Sequence, residues 1–171
     1  MREIDVDVGK KIISKTDTKG RILMANDYFY ELAGYSEDEC YMKPHNIIRH
    51  SDMPKLVFRL LWVKLRYGME VNAFVKNRTK HGEYYWVFAT VSPTFKPGTD
   101  EIVAYYSIRK KANPEAIEIM SSIYEDLNKL ESQEGKEASK KALKDILDYQ
   151  GIKFNVLMSR LQAQGKSALK S

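Results

Sequence analysis

The feature that most restricts the fold is a run of three strand-like segments that follow one another along the chain. Residues 70–78, 83–95 and 102–110 are rich in β-branched and aromatic side chains. Turn-forming sequences that contain glycine separate them at residues 79–82 and 96–100. Because such short connections join neighbouring strands that run in opposite directions, the pattern predicts a three-stranded antiparallel meander.

Two more strands are expected near the N-terminus, after an extension of residues 1–10. Residues 11–16 and 21–25 are rich in Ile and Leu, and residues 17–20 between them end in a glycine that can adopt a positive φ. Two such segments around a tight turn predict a β-hairpin. The hairpin and the meander together supply five strands.

Two short helices are predicted directly after this hairpin. Asn26 is a suitable N-cap for a helix that runs through Leu32 and is closed by Gly34. Ser36 and Glu39 have the spacing of a capping box, in which each residue hydrogen-bonds the backbone N–H of the other, and they predict the start of a second helix.

A longer helix is expected before the meander. Asp52 is a candidate N-cap, with Met53 and Pro54 in the first turn, where the missing N–H of proline costs nothing. Apolar residues at helical spacing continue until Gly68. The helices thus lie between the second and third strands. The fold class is therefore α+β, in which residues 11–112 form a five-stranded antiparallel sheet with central short helices and one longer helix, and a pocket between sheet and helices.

The C-terminal part, residues 113–171, has a different pattern. Asn113 can cap a helix with apolar residues every three to four positions, Gly135 is a break, and a second helix continues beyond it, weakened near Gly151. Residues 1–111 hold 19 Lys and Arg against 14 Asp and Glu, whereas the later residues hold 9 of each. We expect a helical hairpin that serves as an assembly surface. Its first helix should pack on the sheet, and its second helix should contact a second copy of the chain or a partner. The residues after 163 should form a frayed tail.

Several classes of protein are not expected. Cys40 is the only cysteine, which excludes a disulfide framework, and the chain has neither a Walker motif nor a Gly-x-Gly-x-x-Gly motif. No triad-like arrangement favours catalysis by a serine nucleophile. No long apolar run predicts a membrane span or a signal peptide, so a cytoplasmic location and no direct membrane insertion are expected. A zinc or haem site built from Cys40, His45 and His50 remains open, but no ligand spacing supports it.

The aromatic strand at residues 83–89 raises the question of nucleic-acid binding. The strand holds no Lys or Arg, so an exposed stacking surface for bases is not expected. Both faces are apolar and need cover, one from the internal pocket and the other from the C-terminal helices or a partner. The two faces carry Tyr84, Trp86 and Phe88 on one side and Tyr85, Val87 and Ala89 on the other.

Residues 45–52 bring an uncommon density of different polar groups into one loop. This loop holds two histidines, an arginine, an amide and a carboxylate next to Pro44. Two interpretations stay open. Either the loop contacts a bound molecule, or Asp52 caps the following helix and the other residues are solvated.

A larger set of residues resembles a known family. Residues 10–112 are similar to the FAD-binding PAS domain of the bacterial Aer-type energy-taxis receptors. Those receptors continue into a membrane anchor and a signalling helix, neither of which is expected from this sequence. The chain is therefore also similar to the soluble PAS partner of the bipartite energy-taxis systems of epsilonproteobacteria. The matching positions are Asn26-Asp27-x-Phe29, Gly34-Tyr35, Pro44-His45-Asn46-x-x-Arg49-His50-x-Asp52-Met53-Pro54, Trp62, Val75-Lys76-Asn77-Arg78-x-Lys80-x-Gly82 and Tyr85-Trp86-Val87.

The resemblance implies a non-enzymatic redox sensor with non-covalently bound FAD. It also implies that the redox state is passed by protein contact to the cytoplasmic part of a membrane-bound chemoreceptor, and that the sensor is a homodimer. Arg49 is expected to bind the pyrophosphate, and Asn77 is expected to hydrogen-bond the edge of the flavin ring. Trp62 or Tyr85 is expected to form an aromatic wall beside the ring. The residues carried over to FAD binding are Asn26, His45, Arg49, His50, Asp52, Trp62, Asn77 and Tyr85. A ligand-free PAS interaction or dimerisation module and a haem-binding PAS sensor remain as alternatives.

The sequence departs from related patterns at three positions. Val71 stands where the Aer-type pattern has a tryptophan beside the cofactor. Val87 stands where the light-oxygen-voltage group of flavin-binding PAS domains has a second asparagine, and Cys40 lies outside the segment that carries their photoadduct cysteine. Blue-light adduct chemistry is therefore not expected.

Overall fold

The computed structural model describes residues 1–171 and confirms the predicted sheet. Five antiparallel strands lie in the order β2-β1-β5-β4-β3. The chain therefore places its last strand in the middle of the sheet, next to its first. The strands are β1 (Ile12–Thr16), β2 (Ile22–Ala25), β3 (Val71–Arg78), β4 (Tyr84–Phe95) and β5 (Ile102–Lys111).

The helices between β2 and β3 form the layer that faces one side of the sheet. Asn26 caps α1 by accepting a hydrogen bond from the backbone N–H of Phe29, and Gly34 ends that helix with φ 73°. Ser36 and Glu39 form the predicted capping box of the next helix. The elements are α1 (Asp27–Ala33), α2 (Glu37–Cys40), a 3-10 helix (His45–Ile48) and α3 (Lys55–Arg66).

The start of α3 differs from the prediction. The N-cap position is Pro54, which provides no side-chain hydrogen bond, and the helix begins at Lys55. Asp52 does not cap it, because its carboxylate pairs with Nζ of Lys76 on β3, 2.7 Å away. This hydrogen bond from Lys76 also lowers the pKa of Asp52.

The strand register assigns the side chains to two faces. Asn77 lies opposite Tyr85, and Phe74 lies opposite Phe88. Odd-numbered positions of β3 and β4 such as Asn77 face the helices α1 to α3, and even-numbered positions such as Phe74 face the other side. We call these the inner and the outer face of the sheet.

The C-terminal helices cover the outer face. Tyr124 of α4 stacks on Trp86, with ring centres 6.2 Å apart, and donates a hydrogen bond to the backbone carbonyl of Phe74 at 2.8 Å. Asn155 of α6 accepts a hydrogen bond from the backbone N–H of Asn72 at the edge of the sheet. The outer face is therefore packed within the chain, and the prediction of the first C-terminal helix on the sheet is confirmed.

The C-terminal region is not a simple hairpin. Gly151 adopts φ 68° and divides the predicted second helix in two. The three helices are α4 (Pro114–Glu134), α5 (Lys136–Gln150) and α6 (Phe154–Gln164). The predicted frayed tail is also wrong in part, because Gly165–Ala168 forms a 3-10 helix and the backbone N–H of Lys166 bonds the Glu115 carboxylate at 2.8 Å.

The N-terminal extension lies along the start of β4. The backbone N–H of Ile4 bonds the carbonyl of Tyr84, and the N–H of Tyr84 bonds the carbonyl of Arg2. Val6 is buried. The extension thus joins the core. None of the helices is both long enough and apolar enough to cross a bilayer.

Candidate functional site

A cavity of about 350 Å³ lies between the inner face of the sheet and the helical layer. Strand alternation explains its sheet wall, because every second residue of a strand points to the same side. That wall is formed by Ser14 and Thr16 of β1, Val75 and Asn77 of β3, Ala89 and Val91 of β4, and Tyr105, Ser107 and Arg109 of β5.

The opposite wall comes from α3 and the segment before it. Phe58, Leu61 and Leu65 lie on the buried side of α3 and give this wall an apolar surface. The 3-10 helix adds His45 and Asn46. The cavity thus has an apolar surface from α3 opposite the sheet wall. Polar groups lie on both sides, since His45, Asn46 and Arg49 line the cavity across from the polar residues of the sheet.

Trp62 lies at the edge of the cavity, where α3 meets the hairpin turn. Its ring makes an edge contact with Tyr105, at 5.3 Å between ring centres. A side chain at Gly20 would come within 3.1 Å of the Trp62 ring, and Gly20 has φ 78°. Gly20 is therefore needed both for the turn and for this close approach.

The charges around the cavity all have one sign. Its lining contains Lys19, Arg49, Arg66 and Arg109, and it contains no Asp or Glu. Positive charge in a confined space attracts anions. The lining therefore favours an anionic ligand with a flat apolar portion.

Arg109 is the most unusual of these cations because it is buried without a carboxylate partner. Only 5% of the residue is exposed. Its Nη2 donates to Oγ of Ser14 at 2.8 Å and lies 2.6 Å from Nε2 of His45. Burial lowers the pKa of Arg109 to about 10. A buried charge without a counter-ion is costly, so a ligand that supplies negative charge or acceptors would stabilise this site.

His45 is held neutral beside this arginine. Burial of its ring and the charge of Arg109 lower the pKa of His45 to about 3. Since Arg109 donates to Nε2, the proton of the neutral ring is on Nδ1. His45 therefore accepts a hydrogen bond from the guanidinium instead of competing with it for a negative ligand.

Five buried polar atoms at this site have no hydrogen-bond partner within the protein. Buried polar groups are nearly always paired in native proteins, so such a concentration in one place needs an explanation. Each of the five can donate a hydrogen bond, and four belong to residues that line the cavity. They are Arg49 Nε, Asn77 Nδ2, Tyr85 Oη, Ser107 Oγ and Arg109 Nη1.

The group implied by the resemblance is FAD, and these residues fit it. The isoalloxazine ring is flat, apolar on both faces and rich in acceptors along one edge, and the pyrophosphate is anionic. Apolar side chains of α3 and unpaired donors of the sheet match the ring, and the cations match the phosphates.

Four of the eight residues proposed from the sequence lie together around this cavity. They are His45, Arg49, Trp62 and Asn77. The guanidinium carbon of Arg49 lies 3.4 Å from the centre of the Phe58 ring, a cation–π contact. Burial lowers the pKa of Arg49.

The other four have different surroundings. The Asn26 side chain caps α1 and also accepts from the backbone N–H of Ile13. His50 is buried outside the cavity lining and accepts from the backbone N–H of Asp52. The carboxylate of Asp52 is exposed and paired with Lys76. Tyr85 is fully buried beside Asn77, and burial raises its pKa to about 12.

Sequence reasoning missed the contribution of β5 and β1. Arg109, Ser107 and Tyr105 share the inner face of β5, and Ser14 lies opposite Ser107 on β1. The signal in the sequence is that Tyr105, Ser107 and Arg109 stand at every second position of a predicted strand and so share one face, but it becomes informative only once β5 is placed beside β1. No group of three or more His, Cys, Asp and Glu is arranged to hold a metal ion.

Comparisons with known proteins agree with this fold. A family model described as PAS fold matches residues 22–109. Over 117 residues, or 68% of this chain, the sequence is 40% identical to the aerotaxis receptor of Escherichia coli K12 and covers 23% of it. Over 78 residues, or 45% of this chain, it is 33% identical to the biofilm dispersion protein BdlA of Pseudomonas aeruginosa PAO1 and covers 19% of it. The chain thus spans less than a quarter of the length of each relative.

Solved structures share the architecture at low sequence identity. The light-state structure of the light-oxygen-voltage domain of the blue-light photoreceptor Aureochrome1 superposes with a TM-score of 0.58 at 17% identity, over 65% of this chain and 88% of that one. The corresponding domain of a blue-light activated histidine kinase from Erythrobacter litoralis gives 0.53 at 16% identity, over 57% and 92%. At such identities the likeness shows the fold alone.

Proposed function

The chain belongs to the PAS-fold family, and on that premise we propose that it is a redox sensor that binds FAD non-covalently in the cavity between its sheet and α3. The sensor passes the redox state to a chemotaxis receptor by protein contact. It performs no catalysis of its own. The similarity to the aerotaxis receptor supports energy taxis as the process in which it acts.

The observation that carries the proposal is that Arg109 is buried without a carboxylate partner. Its Nη1 has no partner in the protein, and no carboxylate balances its charge. An arginine that served only the fold would be expected to have a buried acid or several carbonyl groups as partners. Arg109 instead has a neutral histidine and a hydroxyl group, which leaves its charge available to a ligand.

A bound flavin would supply reversible electron transfer, and the chain's own residues would hold and orient it. Arg109 and Asn77 offer donors to the acceptor edge of the ring, and Arg49 offers Nε toward the same cavity. Lys19 and Arg66 lie in the lining with the edge residue Trp62 and provide charge for the phosphates. His45 keeps the Arg109 guanidinium in place through its unprotonated Nε2.

The two alternatives meet specific obstacles. In a ligand-free interaction module the cavity would be filled by side chains, but here it measures about 350 Å³. A haem sensor needs a free axial ligand. Nε2 of His45 is already engaged by Arg109, and His50 lies outside the cavity lining.

Identification of the bound molecule tests the proposal. We expect the purified chain of 171 residues, denatured and separated by chromatography, to release FAD in near-stoichiometric amount. Release of FMN would contradict the choice of FAD, release of haem would favour the haem sensor, and absence of any chromophore after incubation with FAD would contradict flavin binding.

The proposed partners require separate measurements. We expect the full chain to be a homodimer by light scattering. We also expect it to bind the cytoplasmic part of a chemoreceptor with different affinity when oxidised and when reduced with dithionite. Equal affinity in both states would contradict redox signalling by contact, even if the flavin is present.

A further inference from the structure

Three polar contacts attach one side of α4 to the sensor part of the chain. They are made by Tyr124, Asn128 and Glu131, which are spaced by four and three residues and so lie on one face of the helix. The same face carries the buried Met120 and Leu127. This face therefore combines an apolar stripe with directional anchors.

The anchors reach two different walls of the cavity. Tyr124 bonds the carbonyl of Phe74 on β3. Asn128 donates from Nδ2 to the backbone carbonyl of Asp52 at 2.7 Å. Both carboxylate oxygens of Glu131 accept from the Arg59 guanidinium on α3, each at 2.9 Å. The helix thus connects the sheet wall to the loop and helix of the opposite wall.

The loop that Asn128 holds also belongs to the cavity. We call residues 49–54 the cavity loop. Arg49 lines the cavity and forms a backbone bridge with Asn77, and the backbone N–H of His50 bonds the carbonyl of Lys76 at 3.2 Å. The loop is therefore attached to β3 on the cavity side and to α4 on the outer side.

We propose that α4 is a latch on the cavity loop, so that docking of the C-terminal helices and order in the loop stabilise each other. Because coupling between two sites is reciprocal, a ligand held by Arg49 then strengthens α4 docking, and release of α4 weakens the ligand. The ligand part of this inference rests on the proposed function. The coupling between α4 and the loop does not.

The ligand-free test is hydrogen exchange of the full chain, read by mass spectrometry. The latch variant carries Asn128→Ala and Glu131→Gln. The control variant is Glu125→Gln, since Glu125 pairs only with Lys129 within α4. We expect exchange in the cavity loop to become about fivefold faster in the latch variant and to stay unchanged in the control. Unchanged exchange in the loop, with faster exchange in α4 alone, overturns the proposal.

A gentler variant guards against general unfolding. Asn128→Asp keeps the size of the side chain, but a carboxylate cannot donate to the Asp52 carbonyl. It should increase exchange in the cavity loop while exchange in β1 and β5 stays as in the unaltered protein. If the increase is the same in every element, the loop is not specifically latched, and the proposal is contradicted.

The ligand arm uses FAD itself. Added FAD should slow exchange in residues 124–134, and the latch variant should bind FAD about fivefold more weakly than the Glu125→Gln control. If FAD binds but neither effect is seen, the latch does not act on the ligand. If the unaltered chain binds no FAD, the proposed function fails, and the latch is judged by the ligand-free arm.

Discussion

Arg109 and His45 share a partly buried hydrogen bond in which Nη2 of the arginine lies 2.6 Å from Nε2 of the histidine. The two residues are 64 positions apart in the sequence. A guanidinium beside an imidazole is a repulsive pair unless the imidazole is neutral, and burial of the ring together with the charge of Arg109 lowers the pKa of His45 to about 3. The pair concentrates positive charge on one side of the cavity without a counter-ion in the protein.

Replacement of Arg109 by Met tests whether this arginine binds the ligand or only stabilises the fold. We expect FAD affinity to fall by about tenfold to a hundredfold, because a hydrogen bond to a charged group contributes about 1.5–3 kcal/mol. The free energy of unfolding of the FAD-free protein should stay the same or rise, since removal of an unbalanced buried charge is often neutral or stabilising.

The control for this experiment is Lys110→Met. Lys110 is the adjacent cation on the same strand, but it lies on the outer face, next to Phe88. Flavin titration and urea unfolding of both variants give the two quantities. Strong destabilisation of the FAD-free Arg109→Met protein, with affinity unchanged, would show a structural arginine instead.

The neutral His45 predicts how stability depends on pH. Its pKa falls from 6.5 to about 3 on folding, so between these values the unfolded chain binds a proton that the folded chain does not. The free energy of unfolding should therefore decrease as the pH is lowered through this window, by up to about 1.4 kcal/mol per pH unit. Above pH 6.5 this contribution should be constant.

The measurement is urea unfolding from pH 7 downward for the unaltered protein and for His45→Gln. Other groups also titrate in this range, among them His50, whose pKa is lowered by burial. The difference between the two proteins isolates His45. If both lose stability in parallel, His45 is not the neutral buried group described above.

The cavity loop offers a pair of substitutions with opposite expectations. Arg49→Met should weaken FAD binding by about 1.5–3 kcal/mol, because Arg49 lines the cavity with an unpaired Nε. Asp52→Asn should leave FAD binding nearly unchanged and cost about 1 kcal/mol of stability, because the Asp52 carboxylate is exposed and outside the cavity lining, where it pairs with Lys76 and lies 3.5 Å from Nδ1 of His50. Flavin titration compares them directly. Equal losses in both variants would indicate that the loop acts as a unit and that Arg49 has no separate contact.

Tyr124→Phe tests how firmly the C-terminal helices are attached. The substitution keeps the ring stacked on Trp86 but removes the buried hydrogen bond to the Phe74 carbonyl. We expect a loss of about 1–3 kcal/mol in the free energy of unfolding. Tyr149→Phe is the matched control, since Tyr149 is 65% exposed on α5. A Tyr124→Phe protein as stable as the control would mean that stacking alone holds α4.

The elements that follow from local rules could be predicted from the sequence. Asn26 and Gly34 bound α1, and Ser36 with Glu39 begins α2, because capping depends on residues three or four positions apart. The meander could be predicted from the turns at residues 79–82 and 96–100. These signals are contained in short windows.

The features that the sequence did not predict depend on distant partners. The Asp52 carboxylate is taken by Lys76, 24 residues away, so a rule based on neighbouring residues wrongly assigned it to the cap of α3. Arg109 looks like an ordinary exposed residue of a strand until the sheet order brings β5 next to β1. The sequence alone therefore predicts only part of the residues that form the cavity site.

The central claim is that the cavity on the inner face of the sheet holds a flavin. The most direct measurement is the visible absorption spectrum of the full chain after incubation with FAD and removal of free FAD, compared with that of Ala89→Leu. Ala89 is buried in the cavity wall, so a leucine there fills the space that the ring requires. Thr90→Val, on the outer face of the same strand, is the control. The account predicts flavin bands for the unaltered protein and for Thr90→Val, and none for Ala89→Leu. A spectrum without flavin bands in the unaltered protein, or bands that persist in Ala89→Leu, would contradict it.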